Sequence, residues 1–373
     1  MIIGIDGNEA NTKNRVGINV YGFELLWSLH RLQEQSKTKH SLIVYLKNEP
    51  LPDLPKETQN FRYKVIPGGG NWILTKLTPQ LFKDRLRPDV FFSPSHYVPL
   101  VAPMPRVCSI MDLGYLEFSG QFRKKDFWQL KLWSAISIYV SKAIIAISNS
   151  TKADIVRHYP MAKDKIYVSL LGYDKIKFNT NIPSNDVRRV KNKYSIVDDY
   201  VLYLGTLKPS KNLENLIRAF VGVNGVKLVI AGKKGWLYES IFQTVKEVGL
   251  ADRVIFTDFV DEKDKPFLIK GAKVFVLPSF WEGFGLDALN AMAVGVPVVA
   301  SRVGSIPEVV GDAGILIDPK NVDSIRNGIK KVLSMSESTY NKLSTNVINQ
   351  AKKFSWDKTA QITLNALEYA VRK

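Results

Sequence analysis

The sequence predicts an α/β protein built from two doubly wound domains, and three observations support this prediction. Short apolar runs recur along the chain, among them SLIVYL at 41–46 and KVFVLPS at 273–279. Segments with helical spacing of apolar residues separate these runs, a rhythm typical of a mainly parallel sheet covered by helices. A polar stretch at 179–199 interrupts the rhythm, and a second series of strands and helices follows it.

The first predicted domain covers residues 1–180. MIIGID reads as a strand, and INVYGFELLWSLHRL reads as a helix because Ile18, Leu25, Leu29 and Leu32 recur on one side. The next strands in this series are SLIVYL, DVFFSP, RVCSIMD and KAIIAIS. Because open α/β sheets bind ligands at the carboxyl ends of their strands, the functional residues should follow these runs.

The second predicted domain covers residues 181–354. Its strands are YVLYLG, VKLVIAG, RVIFTD, KVFVLPS, VPVVAS and GILID. The closing segment 355–373 reads as one more helix, with Ser355 as its N-cap. If the two domains face each other, their loops meet in a cleft and hold a ligand between them.

Length and composition narrow the class of protein. A chain of 373 residues exceeds one ordinary core, and 45% hydrophobic residues suffice for two. No apolar run approaches the roughly 18–20 residues that span a bilayer. The start lacks the basic region of a signal peptide, so we expect no leader. Cys108 is the only cysteine, which excludes an internal disulfide and favours a cytoplasmic protein.

A net charge of +17 favours anionic partners. Sugar nucleotides, phosphorylated lipids, membrane surfaces and nucleic acid all fit, and so does a solvated basic surface that binds nothing.

The stretch EGFGLDALNAM, residues 282–292, is the most informative local pattern. Gly283 and Gly285 let backbone amides approach a ligand, and a helix beginning near Leu286 would favour an anion such as a phosphate. Glu282 can accept hydrogen bonds from hydroxyl groups, and Asn290 lies about two turns further along the same side. The structural alternative is a tight turn before a helix that only packs.

The same stretch also matches the dinucleotide fingerprint G-x-G-x-x-A through Gly283, Gly285 and Ala288. It falls late in its domain, however, and no acidic residue ends the next strand. These two features argue against a nicotinamide-dependent enzyme.

Three further loops follow strands. The loop after YVLYLG carries Lys208 and Lys211, which can neutralise a diphosphate as point charges. The loop at 302–308 brings a glycine and a serine after VPVVAS, and NRVGIN places Arg15 and Gly17 before the first helix. The last loop could close over the same anion from the other domain. Each loop alone also fits a solvated turn.

Taken together, these motifs resemble the glycosyltransferases of family 4. The matching stretches include GTLKPSKNLENLIRAF, VFVLPSFWEGFGLDALNAMAVGVPVVAS, GSIPEVVGDAGILIDP and, in the first half, RVGINVYGFELL, SIMDLGYLEF and AIIAISNSTKADI. The resemblance covers nearly the whole chain. It implies the GT-B fold, two Rossmann-like domains facing across a cleft, with the final helix crossing back to complete the N-terminal domain.

The resemblance also implies residue roles. Lys211 would bind the donor diphosphate, Glu282 would hold the transferred sugar, and position 290 would reach the ribose. The implied donor-binding residues are Gly17, Thr206, Lys208, Lys211, Glu282, Gly283, Phe284, Gly285, Leu286 and Asn290. Glu282, Lys211 and Asp112 are the catalytic candidates, while His96 and Asp112 are the candidates for the acceptor side.

Three positions depart from the family pattern. Asn290 stands where the family commonly has Glu, so a charge-assisted contact to ribose becomes a neutral one. Met111 precedes Asp112 where the family commonly has His, and methionine cannot shuttle a proton. Thr206 stands where many members have Arg. The first two raise the alternative of a sugar-nucleotide-binding protein with weakened turnover.

The family needs no metal or cofactor beyond its nucleotide-sugar donor, and the four histidines show no metal-ligand spacing. The segment 122–143 mixes basic and aromatic residues. It could rest on an anionic membrane, giving a peripheral protein at the inner membrane face, or it could be a helix with a solvated basic side and a packed aromatic side.

The sequence therefore predicts a retaining, metal-independent glycosyltransferase. It would move a hexose from a UDP- or GDP-sugar to a hydroxyl acceptor, which could be a small molecule, a glycolipid or a polysaccharide. Nucleic-acid binding is a third hypothesis that rests on charge alone, and we expect no nucleic-acid partner.

Overall fold

The computed structural model describes residues 1–35, 38–118, 120 and 124–372. Contacts divide the chain into two compact units. Unit 1 comprises residues 1–172 and 355–373, and unit 2 comprises residues 173–354. The division after residue 172 falls eight residues before the boundary placed at 180 from the sequence.

Unit 1 contains a seven-stranded sheet. Its strands are β1 Ile2–Asp6, β2 Ser41–Leu46, β3 Phe61–Val65, β4 Val90–Ser93, β5 Arg106–Ile110, β6 Ala143–Ala146 and β7 Ile166–Val168. Their order is β3-β2-β1-β4-β5-β6-β7. The pairings between these strands are all parallel.

The helices of unit 1 cover this sheet. They are α1 Ile18–Glu34, α2 Thr78–Lys83, α3 Gly114–Glu117, α4 Lys124–Val140, α5 Asn149–His158 and, from the end of the chain, α14 Trp356–Arg372. A π-helical turn at Ile73–Leu77 and a 3-10 segment at Pro160–Lys165 complete the described helical elements.

Unit 2 repeats the plan with a six-stranded parallel sheet. Its strands are β8 Tyr200–Leu204, β9 Lys227–Ala231, β10 Val254–Asp258, β11 Val274–Leu277, β12 Val298–Ser301 and β13 Ile315–Ile317, in the order β10-β9-β8-β11-β12-β13. Its helices are α6 Ser184–Lys193, α7 Leu213–Phe220, α8 Glu239–Glu247, α9 Lys265–Lys270, α10 Leu286–Ala293, α11 Ile306–Val310, α12 Val322–Leu333 and α13 Glu337–Ala351.

Burial explains why the strands read as continuous apolar runs. Every residue of β4, β6, β8, β11 and β12 is buried. A parallel sheet is covered by helices on both faces, so its inner strands do not alternate between apolar and polar residues. The core of each unit therefore lies at its sheet, and polar residues collect in the loops at the strand ends.

Helix α14 belongs to unit 1, although it follows unit 2 in the chain. Its Trp356 ring lies 6.2 Å from the Tyr21 ring of α1, and Asp357 pairs with Arg31 at 3.3 Å. Further along, Glu368 contacts His40 at 2.9 Å. These contacts confirm that the final helix crosses back to complete the N-terminal unit.

Candidate active site

The strand order of unit 2 reverses between β8 and β11, which lie side by side at its centre. The loops that leave these two strands diverge to opposite faces of the sheet, and the space between them is where open α/β sheets bind ligands. The lysine loop 205–212 follows β8, and the EGFG loop 278–285 follows β11.

An ion pair joins these two loops. The Lys211 Nζ atom lies 2.5 Å from Oε1 of Glu282, and the two side chains are only 17% and 13% exposed. The Ser279 hydroxyl donates a second hydrogen bond, of 2.6 Å, to the same carboxylate oxygen. The Glu282 carboxylate is therefore held at a fixed position by two donors, one of them charged.

The lysine loop is fastened to its neighbour by Asn212. This residue adopts the left-handed conformation (φ 58°), which asparagine tolerates better than most residues. Its buried amide donates to the carbonyls of Pro278, at 2.9 Å, and Pro319, at 2.7 Å. The Phe280 amide also donates to the Ser210 carbonyl at 2.9 Å. These bonds keep the two loops in register, so Lys211 and Glu282 meet.

The loop after β12 supports the backbone of Glu282. The Ser305 hydroxyl and amide donate to the Glu282 carbonyl at 3.0 and 3.2 Å. A Cβ atom at Gly304 would lie 2.6 Å from that carbonyl oxygen, and the φ angle there is +54°. The close approach and the positive φ both require glycine at this position.

Helix α10 begins immediately after the EGFG loop. Gly285 is its N-cap at φ 88°, and the first helical hydrogen bond runs from the Leu289 amide to the Gly285 carbonyl at 3.2 Å. The amides of residues 286–288 precede that bond and lie at the positive end of the helix. The Phe284 side chain is buried and packs edge-to-face on Phe354 at 5.9 Å, while Gly283 is half-buried. The loop thus offers backbone donors rather than a side chain at its tip.

Helix α10 carries two polar side chains in its first two turns, Asp287 and Asn290. Burial raises the pKa of Asp287 above its usual range, and the charge of Lys265 is the largest opposing influence. Asn290 is 6% exposed, and within the described residues its side-chain amide makes no hydrogen bond. A nearly buried amide with unused hydrogen-bonding capacity is suited to a ligand.

Thr206 and Lys208 lie earlier in the lysine loop. Both are half-buried, and the residue between them, Leu207, is fixed by a bridge to Lys234. The Lys208 ammonium lies 5.0 Å from the centre of the Trp236 ring. Lys208 and Lys211 therefore follow the same strand but have different neighbours.

Unit 1 has its own reversal of strand order, between β1 and β4. Gly17, after β1, is the N-cap of α1 at φ 52°, and a Cβ atom there would meet nothing within 4 Å. Its backbone conformation and the open space beside it fit a close approach by a ligand. The neighbouring Arg15 is engaged elsewhere, because its guanidinium pairs with Asp53 at 2.5 Å and lies over the Phe23 ring at 3.9 Å.

The two acceptor-side candidates lie in the loops after β4 and β5. His96 packs against the Tyr97 ring at 4.0 Å, and its Nε2 atom is buried without a partner among the described residues. Burial lowers the pKa of His96 from 6.5 to about 4. Asp112 is half-buried and accepts a hydrogen bond from the Gly114 amide at 2.9 Å, which fixes its carboxylate at the start of α3.

A polar group after β1 was not identified from the sequence. The Asn8 side chain donates to Asp6 at 2.6 Å, and Asn19 donates to Glu9 at 2.6 Å. Burial raises the pKa of both carboxyl groups, and for Glu9 the charge of Asp6 adds to the effect. Part of the signal was present, because IDGNEAN places Asp6 at the end of a strand and Asn8 and Glu9 directly after it, whereas Asn19 lies on α1.

No group of three or more His, Cys, Asp or Glu residues in the described ranges is arranged to hold a metal ion.

Sequence relatives decide the family. The sequence model of the glycosyl transferases group 1 family matches residues 186–354. The chain is 33% identical over 284 residues to an uncharacterised glycosyltransferase of Methanocaldococcus jannaschii, covering 73% of this chain and 71% of that one. The chain belongs to the group 1 glycosyltransferases.

Two bacterial relatives of this glycosyltransferase carry a more specific name. This chain is 34% identical over 239 residues to O-antigen chain mannosyltransferase B of Escherichia coli, and the match covers 62% of this chain and 61% of that one. It is 30% identical over 273 residues to the serotype-specific mannosyltransferase WbdA of the same species. That match covers 70% of this chain but only 33% of WbdA.

Solved structures confirm that the glycosyltransferase has the GT-B fold. Sucrose-phosphate synthase from Thermosynechococcus elongatus matches with a TM-score of 0.77 at 19% identity, covering 98% of this chain and 97% of that one. Anabaena HepE, solved in complex with UDP and glucose, matches with a TM-score of 0.75 at 18% identity, covering 98% and 99%.

Ser279 and Asn212 were missed as parts of the enzyme's candidate site, whereas the loop that carries Ser305 was noted. Both missed residues lie in strand-to-helix loops, and a serine or asparagine after a strand is too common to be singled out from sequence alone. Only the fold shows that Ser279 and Ser305 support Glu282 and that Asn212 ties the lysine loop to the EGFG loop.

Proposed function

We propose that this glycosyltransferase is a family 4 enzyme that transfers a mannosyl residue, with retention and without a metal ion, from a GDP- or UDP-sugar to a hydroxyl group of a carbohydrate acceptor. The observation that carries the proposal is the Lys211–Glu282 pair, which joins the two central loops at the strand-order reversal of unit 2. In this pair the Lys211 ammonium, which would bind a diphosphate, lies beside the Glu282 carboxylate, which would bind sugar hydroxyls.

The diphosphate would bind at the lysine loop and the amino end of α10. Departure of a nucleoside diphosphate builds negative charge on its phosphate oxygens. Preorganised donors that face this charge stabilise the transition state without reorganising. Lys211, with Lys208 and Thr206 nearby, would supply side-chain donors, and the amides of residues 283–286 would supply backbone donors. This positive charge comes from the protein itself, which supports a mechanism independent of metal.

Glu282 would hold the transferred sugar. A carboxylate accepts strong hydrogen bonds from hydroxyl groups, and the contacts of Ser279 and Ser305 fix its position. Since Lys211 already occupies Oε1, the second carboxylate oxygen is the one left for the sugar. We favour attack by the acceptor on the face from which the diphosphate leaves, rather than a covalent intermediate on a carboxylate of the enzyme.

Asn290 would contact the ribose. Its amide is nearly buried and can both donate and accept, which matches a ribose hydroxyl. A neutral contact is roughly half as strong as a charge-assisted one, so this enzyme would bind its nucleotide more weakly than relatives with Glu at this position.

The acceptor-side roles remain with unit 1. Gly17, which the family resemblance assigns to donor binding, has an open backbone that a ligand could approach closely, and Asp112 would accept a hydrogen bond from a sugar or acceptor hydroxyl. The neutral imidazole of His96 would add one further polar contact, because burial keeps it unprotonated near pH 7.

Mannose is supported by the names of the relatives rather than by a contact. O-antigen chain mannosyltransferase B and WbdA are both named as mannosyltransferases. The first name also supports a polysaccharide or a lipid-linked saccharide as acceptor.

Thermal melting with a panel of GDP, UDP, ADP and their sugar conjugates tests the donor. A nucleotide that binds the native state raises the melting temperature by mass action. We expect GDP-mannose or a UDP-hexose to stabilise wild-type protein and the control Lys246→Ala, which replaces an exposed lysine on α8. Lys211→Ala should respond weakly. If no nucleotide shifts the melting temperature, the proposed donor site is wrong.

A further inference from the structure

Helix α4 carries large apolar side chains on its outer face. Trp128 is 62% exposed, Leu132 is 60% exposed and Tyr139 is 71% exposed. At about 100° per residue these three positions fall within roughly 40° of one another around the helix. They therefore form one continuous stripe, which we call the α4 stripe.

The rest of α4 packs the helix against the core of unit 1. Phe127 and Leu130 pack on the core cluster of unit 1 that contains the buried Ile138. The Ser137 hydroxyl, also buried, donates to the carbonyl of His96. The aromatic residues of this segment thus divide between two faces, and the packing of unit 1 does not explain the exposed ones.

Exposed lysines flank the α4 stripe. Lys124, Lys125 and Lys131 lie on the helix, and Lys142 lies just beyond its end. At 100° per residue the three lysines on the helix lie within about 60° of Trp128, whereas the acidic Asp126 falls roughly 160° away. Lys131 lies 5.0 Å from the Trp128 ring.

We propose that the α4 stripe docks on the surface of a membrane that contains anionic lipids. The helix would lie in the plane of the interface with Leu132 among the acyl chains. Trp128 and Tyr139 would lie at the headgroup level, which amphipathic rings prefer. The lysines can extend along the apolar surface to anionic headgroups. None of the described helices is long and apolar enough to cross a membrane, so the contact is peripheral.

The composition favours a membrane over a protein partner. Lysine is depleted at the centre of protein–protein interfaces, whereas a row of lysines beside tryptophan, tyrosine and leucine is typical of an interfacial helix. The net charge of +17 also attracts the protein to an anionic membrane, and it acts over a longer range than the lysines of α4 alone. Of the segment 122–143 singled out in the sequence, Phe122 and Arg123 lie outside the described residues.

Co-sedimentation with vesicles tests this proposal on the full chain. The probes are vesicles of phosphatidylcholine alone and of phosphatidylcholine mixed with phosphatidylglycerol. Wild-type protein should bind the mixed vesicles and release them as salt is raised, because screening weakens the lysine contribution. Trp128→Ala combined with Leu132→Ala should lower the partition coefficient by about tenfold or more, since two apolar side chains no longer insert.

Matched variants separate this surface from general effects. Lys124→Ala combined with Lys131→Ala should weaken binding to mixed vesicles by about 25-fold, at roughly fivefold per lysine. Lys330→Ala combined with Lys331→Ala removes the same charge from α12, and Val197→Ala replaces an apolar residue that is 86% exposed in unit 2. Both controls should bind nearly as wild type does.

Three results would overturn the proposal. The first is a wild-type protein that does not bind mixed vesicles at low salt. The second is equal binding to neutral and mixed vesicles. The third is a Trp128→Ala/Leu132→Ala protein that binds mixed vesicles as tightly as its controls do. Melting curves of the variants check folding, and because the replaced side chains are exposed we expect unchanged melting temperatures. An α4 stripe that instead joins two copies of the chain would show as concentration-dependent mass in light scattering without lipid.

Discussion

Replacing Lys211 by alanine removes the cation that both fixes Glu282 and faces the proposed diphosphate. In the free protein the change leaves Glu282, which is 13% exposed, with Ser279 as its remaining side-chain donor. Breaking a fully buried ion pair costs about 3–5 kcal/mol. Since this pair is partly exposed and one donor remains, we expect about 2 kcal/mol. For a unit of this size that lowers the melting temperature by roughly 4–8 °C.

The effect on binding follows from the lost charge-assisted contact. A hydrogen bond to a charged group contributes about 1.5–3 kcal/mol. Lys211→Ala should therefore weaken GDP or UDP binding by roughly ten- to a hundredfold in isothermal titration calorimetry. Glu282→Gln should act in the opposite direction on the bare nucleotide, because it removes a negative charge next to the phosphates. It should abolish the extra affinity of the sugar conjugate.

A double-mutant cycle gives the sharpest version of this test. The two side chains touch, so the single changes should not add, and we expect a coupling of about 1–2 kcal/mol in the free energy of unfolding. The exposed pair of controls on α8, Lys246→Ala and Glu247→Gln, should leave affinity unchanged. Nucleotide affinity of Lys211→Ala within twofold of wild type, or equal losses in Lys211→Ala and Glu282→Gln, would refute the assigned roles.

Three further predictions concern other residues of the two units. Asn290→Glu should tighten nucleotide-sugar binding several-fold in calorimetry, since it restores a charge-assisted contact to ribose; weaker binding would show a site adapted to the amide. Gly285→Ala should lower the free energy of unfolding by about 1–3 kcal/mol, and so the melting temperature by several degrees, because φ is +88° and the new Cβ would lie 2.5 Å from Cδ1 of Ile306. Wild-type stability should fall as pH drops from 6.5 towards 4, where the unfolded chain protonates His96 and the folded chain, with its lowered pKa, does not. Melting His96→Gln across that range should give a shallower loss, and parallel curves would contradict the prediction.

The sequence was sufficient for the inner strands because burial on both faces makes them continuous apolar runs. The edge strands β3 and β7 of unit 1 were not predicted, because most of their residues are only half-buried and they form no such run. The sequence was less informative where helices are polar. The stretch 179–199 showed no strand, but its helix α6, Ser184–Lys193, buries only Val190 and so lacks a clear apolar stripe.

Long-range partners were the least predictable part of the candidate site. Lys211 and Glu282 could each be selected from local motifs, but their contact joins positions 71 residues apart. Arg15 was expected to approach an anion, whereas its charge is used by Asp53, which is 38 residues away. Local patterns carry no information about such partners.

Helix α4 shows why the sequence left two alternatives open. Phe127 and Trp128 are neighbours in the sequence, so they point about 100° apart around the helix. Phe127 packs on the core, as the structural alternative requires, while Trp128 is exposed, as the membrane alternative requires.

Donor turnover tests the central claim most directly. Release of nucleoside diphosphate from GDP-mannose and from UDP-hexoses should be measured with wild-type protein, Glu282→Gln and the control Glu247→Gln. We predict release with one of these donors, stimulated by a carbohydrate acceptor, retained in Glu247→Gln and reduced by at least about a hundredfold in Glu282→Gln. Turnover that persists unchanged in Glu282→Gln, or no turnover with any of these donors, would contradict the account.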